Sequence, residues 1–260
     1  MNHQDLFNYL YWDYLIIDCR PASQYQQSHI GVSVNIPLDS PDNVIFEIIQ
    51  DSFPENKEKV LLYAGNDNGS KGYMEYLRNY LLNNIEKLKK KFCTKNEIEI
   101  LLLAGSFEEF QSKYSFMCSP LYTIKDCYPS QVTENLFLGS EYCATQKKVL
   151  KNLKIAAIVN CTKEKNKFEG IFKYHQVPIE DSLTQDLSPY LEGAIQFIDA
   201  NKAGNILIHC HQGKSRSAAV LIAYLMKVLA YEDAVALLRK ARPFVQPNES
   251  FVEQLKGLRD

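Results

Sequence analysis

Short apolar runs closed by polar residues recur along the chain and alternate with stretches of helical spacing. Residues 14–17 form such a run, ending at Asp18 and Arg20, which reads as a buried strand with a polar exit. Residues 59–63 and 97–103 read as two more strands. Between them Met74, Leu77, Leu81 and Leu82 repeat at helical spacing. In the second half, residues 174–179 are strand-like. Ser188 and Pro189 then read as a helix N-cap and first helical residue. Leu191, Ala194, Ile195 and Ile198 continue at helical spacing. Residues 205–208 form an apolar strand running up to His209 and Cys210, and residues 218–226 leave as an apolar helix. Strands alternating with helices predict an α/β fold with mostly parallel sheets flanked by helices. Ser119-Pro120 and Tyr128-Pro129-Ser130 break the helical pattern, which predicts two domains, 1–118 and 130–260, joined by a linker at 119–129.

Between the last strand and its helix lies His209-Cys210-His211-Gln212-Gly213-Lys214-Ser215-Arg216-Ser217. A cysteine thus ends a buried strand, and the chain curls back to an arginine where a helix begins. Backbone N–H groups pointing into such a loop at a helix N-terminus make an anion site. The same field lowers the pKa of a cysteine placed beneath it. Arg216 offers a planar fork that grips two phosphate oxygens. Gly213 lets the backbone approach a ligand without a Cβ in the way. Ser217 can donate to the sulfur, and His209 can fix the cysteine from outside the loop. A leaving oxygen also needs a proton donor upstream. Glu180, Asp181 and Asp186 are the carboxylates available there. Glu180 is expected to face solvent, and Asp186 to place charge near a helix N-terminus.

The run HCHQGKSRS followed by SAAVLIAYLM resembles the Cys-x5-Arg phosphatases, and among them the dual-specificity protein phosphatases. The resemblance implies a thiolate nucleophile at Cys210, a phosphate cradle of His211, Gln212, Gly213, Lys214, Ser215 and Arg216, and assistance from Ser217. It places the general acid after a strand and before a helix, which selects Asp181 over its rival Asp186. It implies a thiophosphate intermediate, a phosphoprotein substrate and no cofactor or metal. Residues 132–139 resemble the opening strands of these domains, and 155–162 the strand after their first helix. Pro247-Asn248-Glu249-Ser250-Phe251 resembles the PNxGF element, with Ser250 in place of the glycine. By this resemblance Asn248 hydrogen-bonds the phosphate loop from behind. The alternative reading is a phosphate-binding scaffold with little turnover that uses its first domain for partners. Lipid phosphatases of the superfamily often carry more basic loops. Here Lys214 is the one lysine or arginine between Cys210 and Arg216.

The first half resembles rhodanese-like domains through the strand ending at Asp18, Ser28-His29-Ile30, Asn35-Ile36-Pro37 and the stretch from Ala104 to Gln111. An active rhodanese carries a cysteine directly after the strand that ends here at Tyr63. This chain has Ala64, and 65–70 hold neither cysteine nor arginine, so the domain reads as non-catalytic. Asp18 and His29 are expected to hydrogen-bond near the sheet edge. An inert rhodanese-like domain ahead of a phosphatase is similar to the mitogen-activated protein kinase phosphatases. There an arginine cluster docks the kinase, so a protein kinase is the implied partner. The corresponding stretch here, 38–47, is acidic and has no basic residue. The basic run 87–92 reads as a solvated helix end, with a displaced docking site as the alternative.

Composition narrows the setting. The chain has 260 residues, 46% of them hydrophobic, which suits two domains with their own cores. Its net charge of −2 gives no general attraction for nucleic acid or a membrane surface. Seven cysteines without a CxxC pair, and no signal peptide or membrane-length apolar run, predict a reducing intracellular, cytoplasmic setting. Cys118 and Cys127 are candidate redox partners for Cys210.

Overall fold

A computed structural model describes residues 1–10, 14–38, 40–52, 58–91, 97–118 and 128–259. The chain divides into two compact units, Met1–Lys125 and Asp126–Asp260. Each is an α/β unit built on its own sheet. Most of the expected linker, together with Cys93 and Cys127, lies outside the described residues. None of the helices among the described residues is long and apolar enough to cross a membrane.

The first sheet contains β1 (Tyr14–Asp18), β2 (Val34–Asn35), β3 (Lys59–Tyr63) and β4 (Glu99–Leu102). All are parallel, in the order β2-β1-β3-β4. Side chains alternate across a strand. Leu15 and Ile17 of β1 therefore join Val60 and Leu62 of β3 in one core, covered by Ile45 and Ile49 from one helix and Leu77 and Leu81 from another. The helix Asn68–Asn83 buries Tyr73, Leu77 and Leu81, whereas Leu82 is 43% exposed. The expected stripe is thus corrected by one residue. Positions 73, 77 and 81 share a face at 3.6 residues per turn, and 82 turns about 100° away from it. The strand expected at 97–103 pairs only over Glu99–Leu102.

Polar groups at the end of β1 are also arranged differently from expectation. Asp18 pairs with Arg20 (2.7 Å) inside the domain, their side chains 0% and 3% exposed. The Tyr63 hydroxyl donates to the same carboxylate at 2.6 Å. The Arg20 guanidinium lies 3.5 Å from the Phe107 ring centroid. His29 turns away from Asp18, its Nδ1 bonding the Tyr25 carbonyl at 2.8 Å and its ring stacking on Tyr25. Within the basic run, Lys89 pairs with Glu86 and Glu97, and Lys87 lies over the Phe46 ring.

The second sheet contains β5 (Ser130–Gln131), β6 (Leu136–Ser140), β7 (Ile155–Asn160), β8 (Lys173–Gln176) and β9 (Asn205–Cys210). The order is β5-β6-β9-β7-β8, parallel except for the β5–β6 pair. Both neighbours of β9 run parallel to it, so its Cys210 end opens at the carboxyl edge of the sheet, where α/β folds place ligands. The helix Arg216–Leu225 buries eight residues, from Ser217 to Leu225. That explains its nearly unbroken apolar sequence. Its core partners include Leu136, Leu138, Val159, Ile206 and Ile208 from the sheet and Ala194 and Ile198 from the helix Ser188–Asn201. That helix starts one residue earlier than expected. Ser188 is already helical, and Asp186 Oδ1 accepts the Ser188 N–H at 2.9 Å. The strand expected to run to Ile179 ends its ladder at Gln176, where the chain bends into the loop bearing Asp181.

Removing one partner of a buried ion pair leaves an uncompensated charge, at a cost of about 3–5 kcal/mol. Arg20→Ala is therefore expected to lower the unfolding free energy of the first unit by that order. Thermal unfolding of the full chain should show one transition moving down while the second keeps its position.

Candidate active site

Cys210 ends the central strand and is 2% exposed. The Ser217 hydroxyl donates to its Sγ at 3.1 Å, and the Gly213 N–H does so at 3.3 Å. Burial alone would push the thiol up. The Ser217 hydroxyl and the N–H groups of Ser217, Lys214 and Gly213 outweigh it and bring Cys210 below the ordinary thiol value. Cys161, which follows β7 and donates its N–H to the His209 carbonyl, meets no such donor among the described residues; burial, with repulsion from Cys210, drives its thiol well above the ordinary range. Cys118 belongs to the first unit, where burial raises it to about 12.

The loop closes because Gly213 takes φ +67°, a left-handed conformation that suits glycine. A Cβ there would stand 2.4 Å from the Gly139 carbonyl oxygen. Arg216 opens the following helix, its Nε buried and without a protein partner. His211 and Gln212 are exposed, and His211 Nδ1 meets Glu141 Oε2 at 2.5 Å. His209 is buried beside the cysteine, and burial lowers its pKa to about 4, so it stays neutral near pH 7. The Cys210 sulfur is therefore supported by the loop donors and not by a charged His209.

Asp181 is brought to this loop. Ser215 Oγ donates to Asp181 Oδ1 at 2.6 Å, and Asn248 Nδ2 donates to the same oxygen at 2.8 Å. The Asn248 N–H in turn donates to Ser215 Oγ at 3.1 Å. Asn248 Oδ1 also caps the helix Glu249–Lys256 by accepting from Phe251, so Ser250 sits in its first turn. Asn248 thus holds both the loop and the carboxylate. Glu180 points outward and pairs with Lys163. Asp186 is occupied at the start of its helix.

Sequence reasoning missed three groups. Gln254 accepts the Leu187 N–H at 2.8 Å and donates to the Gln185 carbonyl at 2.9 Å, pinning the segment that carries Asp181. Arg242 donates to the carbonyls of Gln212 and Gly213. Glu141 fixes His211. None lies near the cysteine in sequence, and only the PNxGF-like stretch hinted that the last helix reaches the site.

Residues 136–260 match the family model described as dual specificity phosphatase, catalytic domain, and residues 4–113 match the rhodanese-like domain. A Dictyostelium discoideum protein named "Probable rhodanese domain-containing dual specificity protein phosphatase" is 28% identical over 98% of this chain and 68% of its own length. Human dual specificity protein phosphatase 16 is 29% identical over 93% of this chain, which spans only 40% of that relative. The crystal structure of human DUSP28 is 31% identical, with a TM-score of 0.47, and the match covers 49% of this chain and 93% of that one. The chain belongs to the dual-specificity phosphatases, a family of protein phosphatases, in the form that carries a rhodanese-like domain ahead of the catalytic one.

Gly213→Ala should cost about 1–2 kcal/mol from backbone conformation, with the clash against the Gly139 carbonyl added to it, and should shift the N–H that faces Cys210. Loss of an aligned donor of this kind lowers turnover by about 10²–10³-fold. Hydrolysis of an aryl phosphate, measured beside a thermal melt, should therefore show a lower melting temperature together with a loss of rate of that order in the protein that remains folded.

Proposed function

We propose that the chain hydrolyses phosphotyrosine, and phosphoserine and phosphothreonine, in proteins through a covalent thiophosphate. One observation carries this reading: the Cys210 sulfur is held by Ser217 and the loop amides, while Asp181 is tied to the same loop through Ser215. The Cys210 thiolate attacks phosphorus and forms the S–P bond as the bond to the leaving oxygen breaks. Asp181 gives its proton to that oxygen. Arg216 and the loop N–H groups take the charge on the equatorial oxygens. Water then attacks the thiophosphate, Asp181 receives its proton, and the sulfur departs as a thiolate accepting from Ser217. The phosphate cradle is the loop from His211 to Arg216, acting chiefly through its backbone. Asp181 is preferred to Asp186 because Ser215 ties Asp181 to the phosphate loop, whereas Asp186 bonds the Ser188 N–H at the start of its own helix. The rhodanese-like domain has no part in this chemistry, since Ala64 stands where a nucleophile would be.

The test is hydrolysis of para-nitrophenyl phosphate by the full chain under reducing conditions, beside Cys210→Ser. Turnover should fall by at least ~10³-fold in the variant, while phosphopeptide binding survives. Equal activity in both proteins would sink the reading, and absence of activity in both would leave a phosphate-binding scaffold. Asp181→Ala separates the acid role from the nucleophile. It should slow substrates with poor leaving groups by about 10²–10⁴-fold and those with good ones far less. Equal slowing would move the acid role away from Asp181.

A further inference from the structure

The carbonyls on the outer side of the phosphate loop are held by one short segment. Arg242 Nη2 donates to the Gln212 carbonyl at 2.9 Å, and Arg242 Nε donates to the Gly213 carbonyl at 2.8 Å. The Gln246 N–H donates to the Lys214 carbonyl at 2.9 Å. The two peptide units gripped by Arg242 end, on their other side, in the N–H groups of Gly213 and Lys214. Those are N–H groups that face the Cys210 sulfur.

We propose that Arg242 is a positioning residue for the nucleophile, holding the carbonyl ends of the two peptide units whose N–H ends support Cys210. A peptide unit is planar, so a fixed carbonyl oxygen fixes the direction of the N–H across it. A hydrogen bond to the oxygen also polarises the N–H, by about 10–30% per bond in a chain of such bonds. A charged fork that takes both oxygens does this for two units at once. The guanidinium is itself placed. The Arg242 N–H closes the helix Tyr231–Ala241 on the Leu238 carbonyl at 2.8 Å, and the Phe244 ring lies 4.2 Å from the guanidinium carbon. A third bond, from Nη1 to Ser130 Oγ at 3.3 Å, orients it further. The inference rests on Cys210 acting as a thiolate nucleophile.

Other groups also act on that sulfur. Ser217 reaches it from the following helix, which Arg216 opens, the Lys214 N–H reaches it from the loop, and Cys161 faces it from the end of β7. His209 adjoins it on β9, and Asp181 approaches through Ser215. All of them stay in place when only Arg242 changes. The test is alkylation of the full chain by iodoacetamide across pH, followed at the Cys210 peptide by mass spectrometry, which needs no turnover. Wild type should titrate below the ordinary thiol range. Arg242→Met should move the midpoint up by about one pH unit, so that alkylation at about pH 6 slows about tenfold. Arg242→Lys should shift it less, because an ammonium keeps the charge but cannot span both oxygens. Folded variants with the wild-type midpoint would overturn the proposal. If Arg242→Met does not fold, Arg242→Lys decides alone, and an unshifted midpoint overturns it. A wild-type Cys210 that titrates like an ordinary thiol would instead overturn the nucleophile reading itself.

Discussion

The second unit is organised around a buried sulfur, Cys210, whose hydrogen-bond donors bring it below the ordinary thiol value. Cys161 and Cys210 lie at the ends of neighbouring strands, both buried. Burial raises Cys161 well above the ordinary range, while Cys210 is brought below it. Repulsion from Cys210 adds to the effect on Cys161, while Cys210 has donors aimed at it: a hydroxyl from Ser217 and amides from the loop. A desolvated anion is tolerated only where such donors are already aimed at it. The central position of β9 and the immediate start of the next helix supply that aim.

Donors that point inward oblige their carbonyls to point outward, and those need partners too. Arg242 and Gln246 meet that need on one side of the loop. On the other side Ser215 links the loop to Asp181, and Asn248 bridges the two. The helix Glu249–Lys256 acts as a clasp. Its cap, Asn248, holds the Asp181 carboxylate, and its Gln254 pins the segment that follows Asp181. Cys210 and Asp181 therefore share one hydrogen-bonded frame, which the proposed reaction requires if both are to meet a single phosphoryl group in register.

The parts of this frame that were legible in the sequence are the contiguous ones. Cys210, Gly213, Arg216 and Ser217 fall in one strand–loop–helix turn, where spacing alone sets the geometry. Asp181 was legible as one of three carboxylates on a loop, but its contact with Ser215 was not, because it spans 34 positions. Arg242 and Glu141 reach the loop across 29 and 70 positions, and nothing local marks them. Small errors had local causes. Leu82 follows the apolar stripe in composition but sits one step around the helix. His29 was a natural partner for Asp18 until Arg20, two residues away, took both carboxylate oxygens.

The first unit uses the same local design to a different end. There too a parallel strand, β3, ends in a loop that opens a helix, Asn68–Asn83. Such a loop again offers inward N–H groups, yet here Asp67 occupies them. Its carboxylate accepts the Ser70 N–H at 2.7 Å and the Ser70 hydroxyl at 2.6 Å. Those two bonds, with the N–H groups of Asp67 and Gly69, hold Asp67 below the usual carboxylate range. The loop thus carries its own anion, and Ala64 offers no thiol beneath it. The strand–loop–helix order is shared, but the second unit's loop turns through a left-handed Gly213, whereas the first unit's loop closes on its own Asp67 cap. What separates them is whether the loop amides face the sulfur of a strand-end cysteine or the carboxylate of the loop's own side chain.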